Sequence, residues 1–81
     1  MKEINVADSV AFVSDEDYLL VKNFTWHLCQ SGYARTNIGS GSVAMHRLIV
    51  KAEKGQIVDH LNTNKLDNRR ENLRIISSSS N

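Results

Sequence analysis

Asp59 and His60 are adjacent, and no other pair in this sequence is better equipped for chemistry. A carboxylate offers a hard oxygen ligand to a divalent cation. An imidazole that titrates near ~6.5 can take a proton from water at neutral pH. Asn72 follows twelve residues after His60, and Asn81 nine after Asn72. One asparagine carbonyl can hold a histidine ring N–H and fix its tautomer, and another can act as a neutral metal ligand. Each residue also has a plain structural reading. Asp59 could cap a turn, His60 could be a satisfied, half-buried histidine, Asn72 could end a helix, and Asn81 could be a chain end. Arg69, Arg70, Arg74 and Lys65 are close by in sequence. They suit either phosphate contacts or a solvated basic face.

The elements that must position these groups can be read in outline. Ile57 to Leu61 is a short strand with polar Asp59 and His60 where a core strand would be apolar. Strand neighbours point to opposite faces, so the two can do different jobs at one edge of a cleft. Asn62 to Asp67 has turn chemistry. Asp67 or Asn68 can cap a one-turn helix through Asn72, because Glu71 falls three residues after Asn68. Leu73 to Ile76 returns as a second strand, and Ser77 can cap a final helix. Val43 to Val50 fits a strand or a helix, with a helix expected from Met45 and ended by Gly55.

Upstream, Ile4 to Val6 and Val10 to Val13 read as a hairpin around Ala7-Asp8-Ser9. Ser14 with Asp17 forms a capping-box pattern opening a helix, whose apolar stripe is Tyr18, Leu20, Val21 and Phe24. Thr25 to Cys29 and Tyr33 to Ile38 read as a hairpin around Gln30-Ser31-Gly32, and Gly39-Ser40-Gly41 reads as a flexible break. Trp26, Phe12 and Tyr33 are expected in the core, with base stacking as the alternative for Tyr33. His27 and Cys29 share one strand face and lack partners for a zinc site, so they are expected to pack inside.

Composition limits the options. The chain has 81 residues, 41% of them hydrophobic and 23% charged, with one cysteine. Domains run to roughly 100–200 residues, so a second folded unit is excluded, and wholesale disorder is argued against. No apolar run approaches the ~18 residues of a membrane span, and the N-terminus lacks a secretory signal. The lone Cys29 excludes an internal disulfide framework, and a reducing, cytoplasmic setting is expected. Residues 1–42 carry three basic and five acidic side chains; residues 43–81 carry seven basic and four acidic. A basic half points weakly to an anionic partner.

Three stretches carry a resemblance: Met45-His46-Arg47-Leu48-Ile49, Val58-Asp59-His60-Leu61-Asn62, and Leu66-Asp67-Asn68-Arg69-Arg70-Glu71-Asn72-Leu73-Arg74-Ile75. In that order they resemble the HNH endonucleases, in particular the phage and bacterial homing-type group. Val10 to Tyr18, Trp26 and Ser31 to Ala34 look like the N-terminal region of the same group. The resemblance implies an α+β protein: a small antiparallel sheet and helix over 1–42, then a ββα-metal core over 43–81, in one folded unit. It implies Asp59 and Asn81 as ligands to Mg²⁺ or Mn²⁺, His60 as general base, and Asn72 as the residue orienting it. Arg69, Arg70, Arg74 and Lys65 become expected phosphate contacts. His46 opens the family motif and is expected either near the phosphates or packed against the core strand.

The expected activity is metal-dependent hydrolysis of DNA, nicking one strand per site. The rival reading is an HNH-fold module that binds DNA or a partner and cleaves weakly. Relatives usually continue past the position of Asn81, so a short or truncated member is expected, with the oligomeric state open and a homodimer among the options.

Overall fold

The computed structural model of the chain describes residues 1–77. Strands β1 (Lys2–Val6) and β2 (Ser9–Val13) form the expected hairpin. Its register pairs Val6 with Ser9 and Lys2 with Val13. Alternation puts Ile4, Val6, Ala11 and Val13 on the buried side. Helix α1 (Asp15–Val21) follows, with three acidic residues in its first turn, as the helix dipole favours.

The capping box does not form. Ser14 occupies the N-cap position without a side-chain cap bond, and its Oγ accepts the Arg70 backbone N–H at 3.0 Å. Val21 faces the core while Leu20 stays exposed. The Trp26 indole N–H donates to the Val21 carbonyl at 2.8 Å, tying the end of α1 to the next segment.

Strands β3 (His27–Leu28), β4 (Ala34–Ile38) and β5 (Gly41–Ala44) make an antiparallel meander. Gly39 and Ser40 are therefore the turn of a hairpin, with Gly39 at φ +61°, and not a flexible break. His27 is exposed, against the expected core position. The ambiguous stretch from Val43 is both things in succession: the end of β5, then helix α2 (Met45–Val50), which buries Met45, His46 and Ile49.

Strand β6 (Gln56–His60) pairs antiparallel with β8 (Leu73–Ser77), setting Asp59 opposite Arg74 and His60 opposite Leu73. Between them, β7 (Asp67–Asn68) leaves this hairpin and adds in parallel to β2, Phe12 facing Asp67 and Val13 facing Asn68. Asp67 and Asn68 therefore act as strand residues, not helix caps; the one-turn helix is a 3₁₀ turn over Arg70–Asn72. The architecture is α+β. Ser77, expected to cap a final helix, ends β8 instead; the rest of that expected helix, to Asn81, lies outside the described residues.

The core joins both halves. Ile4, Val6, Ala11, Val13, Val21, Trp26 and Ala34 pack with Met45 and Ile49 from α2. Residues 43–77 add Leu48, Val50, Leu66 and Leu73 as half-buried residues packed against it, so α2 buries its apolar face against the upstream sheet.

The same seam carries an ion pair. Asp17, 1% exposed, receives Arg70 through Nε at 2.9 Å and Nη2 at 2.8 Å. Glu16 lies 3.5 Å from the same guanidinium. Removing Arg70 strands a buried carboxylate. Arg70→Ala is expected to destabilise the fold by about 1–3 kcal/mol, well beyond Glu16→Ala, in urea unfolding followed by Trp26 fluorescence. An unchanged midpoint would mean that the pair does not hold the seam.

Candidate active site

Strand β6 delivers Asp59 and His60 to one open pocket of about 190 Å³, whose other walls are Tyr33, Thr63 and Lys65. The Asp59 side chain is 45% exposed, whereas His60 is buried. Alternation along the strand separates them as expected, and the strand end lets both reach the same cavity. The His60 ring lies 5.7 Å from Tyr33 and 4.9 Å from His46, and Tyr33 lies 5.0 Å from His46. Three rings therefore back the pocket, one of them from the first half of the chain. Tyr33 is a wall of this site more than a core residue, and no signal in the local sequence places it there.

Lys65 is held by a second contact across the halves. Its ammonium donates to the Ser31 carbonyl at 2.6 Å and lies 5.1 Å from the Tyr33 ring centre. Gly32 permits this approach. At φ +92° it has a conformation costly for other residues, and a Cβ there would sit 3.2 Å from Lys65 Cδ.

Asn72 does not touch His60. Its Oδ1 accepts the Asn62 backbone N–H at 3.0 Å, and its Nδ2 donates to Asn62 Oδ1 at 2.9 Å and to the Asp67 carbonyl at 2.8 Å. Asn72 thus clamps the loop that follows β6, with no side-chain hydrogen bond to His60 itself. The side chain against His60 is Asn68, with Oδ1 2.8 Å from Nε2. Sequence reading treated Asn68 only as a helix cap; its burial depends on the pairing of β7 with β2, which no local pattern reveals.

The arginines are also redistributed. Arg69 grips Asp67 through Nε at 2.7 Å and Nη2 at 2.8 Å and reaches Glu71 at 3.2 Å. Its hydrogen bonds, with that of Asn62, hold the Asp67 carboxyl below its ordinary 3.8. Arg70 is committed to Asp17. Both are engaged in ion pairs within the scaffold. Arg74 pairs with Asp59 at 3.0 Å, and both side chains are about half exposed. Such a pair is worth about 0–1 kcal/mol, so a phosphate or a cation can displace it.

Residues 43–81 match the family model of the HNH endonucleases. An uncharacterised HNH endonuclease of Acanthamoeba polyphaga mimivirus is 35% identical over 71 residues. The match takes in 80% of this chain, which spans only 37% of that relative's length. No solved structure matches. The second half of this chain belongs to the HNH endonuclease family.

The donor set of this HNH segment fits a hard divalent cation. Asp59 presents carboxylate oxygens at the edge of an open pocket, and Mg²⁺ usually takes only one or two carboxylates, filling its shell with water and phosphate oxygens. Among the described residues no cluster of three or more His, Cys, Asp or Glu side chains converges. Asn81, expected as the second ligand, lies outside the described residues.

His46, 7% exposed, packs behind the pocket against the rings of Tyr33 and His60. Burial holds its imidazole down to about 4 from 6.5, and the charges of His60, Arg47 and Arg35 act in the same direction. In the unfolded chain His46 takes up a proton below 6.5; in the fold it stays neutral to about 4. Its contribution to stability is therefore complete above 6.5 and is lost as pH falls towards 4. The loss should reach at most about 3 kcal/mol. Urea midpoints measured across that range should fall with pH, and His46→Phe should flatten the slope; an equally steep slope in the variant would show that His46 is not the group responsible.

Proposed function

We propose that this chain is a divalent-metal-dependent DNA endonuclease that nicks one strand per active site. The observation that carries the reading is the meeting of the Asp59 carboxylate and the His60 imidazole in one open pocket, with the Lys65 ammonium on its wall. The homing-type pattern from Val58 to Ile75 supports nicking as the outcome.

Hydrolysis of a phosphodiester needs an activated water, neutralised charge at phosphorus and a stabilised leaving oxygen. His60 takes the proton of the attacking water. Asp59 would hold a Mg²⁺ or Mn²⁺ ion, which would supply Lewis-acid stabilisation of the phosphate and the leaving oxygen. Lys65 approaches the phosphate from the pocket wall. Arg74 would exchange Asp59 for a phosphate oxygen, leaving the Asp59 carboxylate free to hold the cation. Asn72 keeps the loop after β6 closed and acts on the chemistry only through that loop. Arg69 and Arg70 hold Asp67 and Asp17.

Supercoiled plasmid should convert to open circle with Mg²⁺ or Mn²⁺ and not with EDTA. His60→Ala should slow nicking by about 10²–10⁴-fold, and Asp59→Ala should remove the response to metal. Equal nicking by His60→Ala would refute the assignment, and retained DNA binding without any cleavage would favour a binding module.

The phosphate contacts have their own test. Arg74→Ala and Lys65→Ala should each weaken binding to all DNA sequences alike and lower the salt slope by roughly one unit. Arg70→Ala, assayed where it remains folded, should leave that slope unchanged. A lowered slope for Arg70→Ala would return it to the phosphate-binding set.

A further inference from the structure

We propose that the outer face of the β3–β4–β5 sheet docks the backbone of the DNA strand that enters the pocket, with Arg35 as its phosphate contact. The inference rests on the nuclease reading and adds a contact from the first half of the chain. Arg35 lies outside the stretch that matches the HNH family.

Continuity with the pocket is the first observation. Tyr33 is a wall of the pocket and comes directly before β4. Alternate residues along a strand share a face. Arg35 and Asn37 therefore continue in line from Tyr33, while Ala34 and Thr36 turn to the buried side. Cross-strand pairing adds His27 opposite Arg35 and Ser42 opposite Asn37. His27, Asn37 and Ser42 are exposed and Arg35 is half-buried. Two residues advance a strand by about 7 Å, against roughly 3.4 Å per nucleotide along a DNA strand. Arg35 thus stands about two nucleotides from a group placed against Tyr33.

Charge is the second observation. No Asp or Glu occurs between Asp17 and Glu53, a gap that takes in the whole β3–β4–β5 sheet and α2. Among the described residues Arg35 has no carboxylate partner, whereas Arg69, Arg70 and Arg74 each have one. Its guanidinium is held only by neutral oxygens: Nε donates to Ser42 Oγ at 2.9 Å and Nη2 to the Ser42 carbonyl at 3.2 Å. These bonds fix the group on the sheet without neutralising it, and a phosphate oxygen can accept from the N–H groups that remain. The same charge reaches His46 behind the pocket, where it helps to keep the imidazole neutral.

An acidic protein would be drawn by this charge too. DNA is favoured because the face runs into the pocket that holds Asp59 and His60. The side chains around Arg35, an imidazole, an amide and a hydroxyl, also suit phosphate and sugar oxygens better than the apolar centre of a protein interface.

The test is binding of the full chain to short duplex DNA in EDTA, followed by fluorescence anisotropy across a range of salt, so that cleavage does not enter. Arg35→Ala should weaken binding to all sequences alike, by about tenfold at roughly 0.1 M salt, and lower the salt slope by roughly one unit. Arg35→Lys, which keeps the charge, should retain most of that slope. Asn37→Asp places a negative charge on the same face at an exposed residue. It should weaken binding as well, and it decides the matter if Arg35→Ala does not fold. Asn5→Asp, the same change on the exposed side of β1, should bind like the wild type.

An unaltered slope in folded Arg35→Ala would overturn the docking face, and so would equal losses in Asn37→Asp and Asn5→Asp. A wild-type chain that binds polyglutamate and not DNA would overturn it in favour of an acidic protein partner. His60→Ala separates this inference from the nuclease reading. If that variant nicks like the wild type while Arg35→Ala and Asn37→Asp lose affinity, the assignment of the base fails and the docking face stands.

Discussion

The pairing of two residues, Asp67 and Asn68, with the edge of β2 is the constraint on which the rest of the structure depends. It takes a short segment from the loop between β6 and β8 and makes it the third strand of a sheet begun at residue 2. The sheet and α2 then share one core. Parallel pairing over two residues is weak by itself. It is supported by the Phe12 N–H donating to the Leu66 carbonyl at 2.8 Å, by Ser14 on the Arg70 backbone, and by Arg70 on Asp17. A small chain buries little apolar surface, so polar groups along this seam carry much of the work of joining the halves.

Charge is distributed in the same spirit. Every described carboxylate near the site has a cation: Asp17 has Arg70, Asp67 has Arg69, and Asp59 has Arg74. The three pairs differ in burial, and burial decides their roles. Asp17 and Asp67 are almost fully covered, where an unpaired charge is costly and the partner cannot easily leave. Asp59 is half exposed, and its pair costs little to open. The loosely held carboxylate of the three lies beside His60, at the edge of the open pocket.

The asparagines divide their work just as clearly. Asn62, Asn64 and Asn72 knit the loop after β6 to itself, each using backbone and side-chain partners. That network fixes the loop in space, with Thr63 at φ +64° as its tightest point. It leaves the ring of His60 to a different amide, that of Asn68, which comes from the seam and not from the loop. The network that holds the loop and the hydrogen bond at the His60 ring are thus separate, although they lie within a dozen residues of sequence.

Much of this was legible in the sequence. Alternation marked β1 and β2 because each buries one face, and that period does not depend on the partner. Met45 as the start of α2 followed from the apolar spacing after it. Asp59 and His60 stood out by type, since polar side chains in the middle of an apolar strand need a reason. What the sequence could not determine was the partner of each polar group. Asn68 and Asn72 are the same residue type four positions apart, and either could hold the ring; the register of β7 against Val13 decides it. Arg70 and Arg74 are equally basic by letter, yet one meets a carboxylate of α1 and the other a carboxylate of β6. Tyr33 reached the pocket because the β3–β4 hairpin folds over α2. Local pattern reports burial and period, whereas hydrogen bonds and ion pairs are made by atoms brought within about 3 Å, and only the tertiary structure decides which atoms those are.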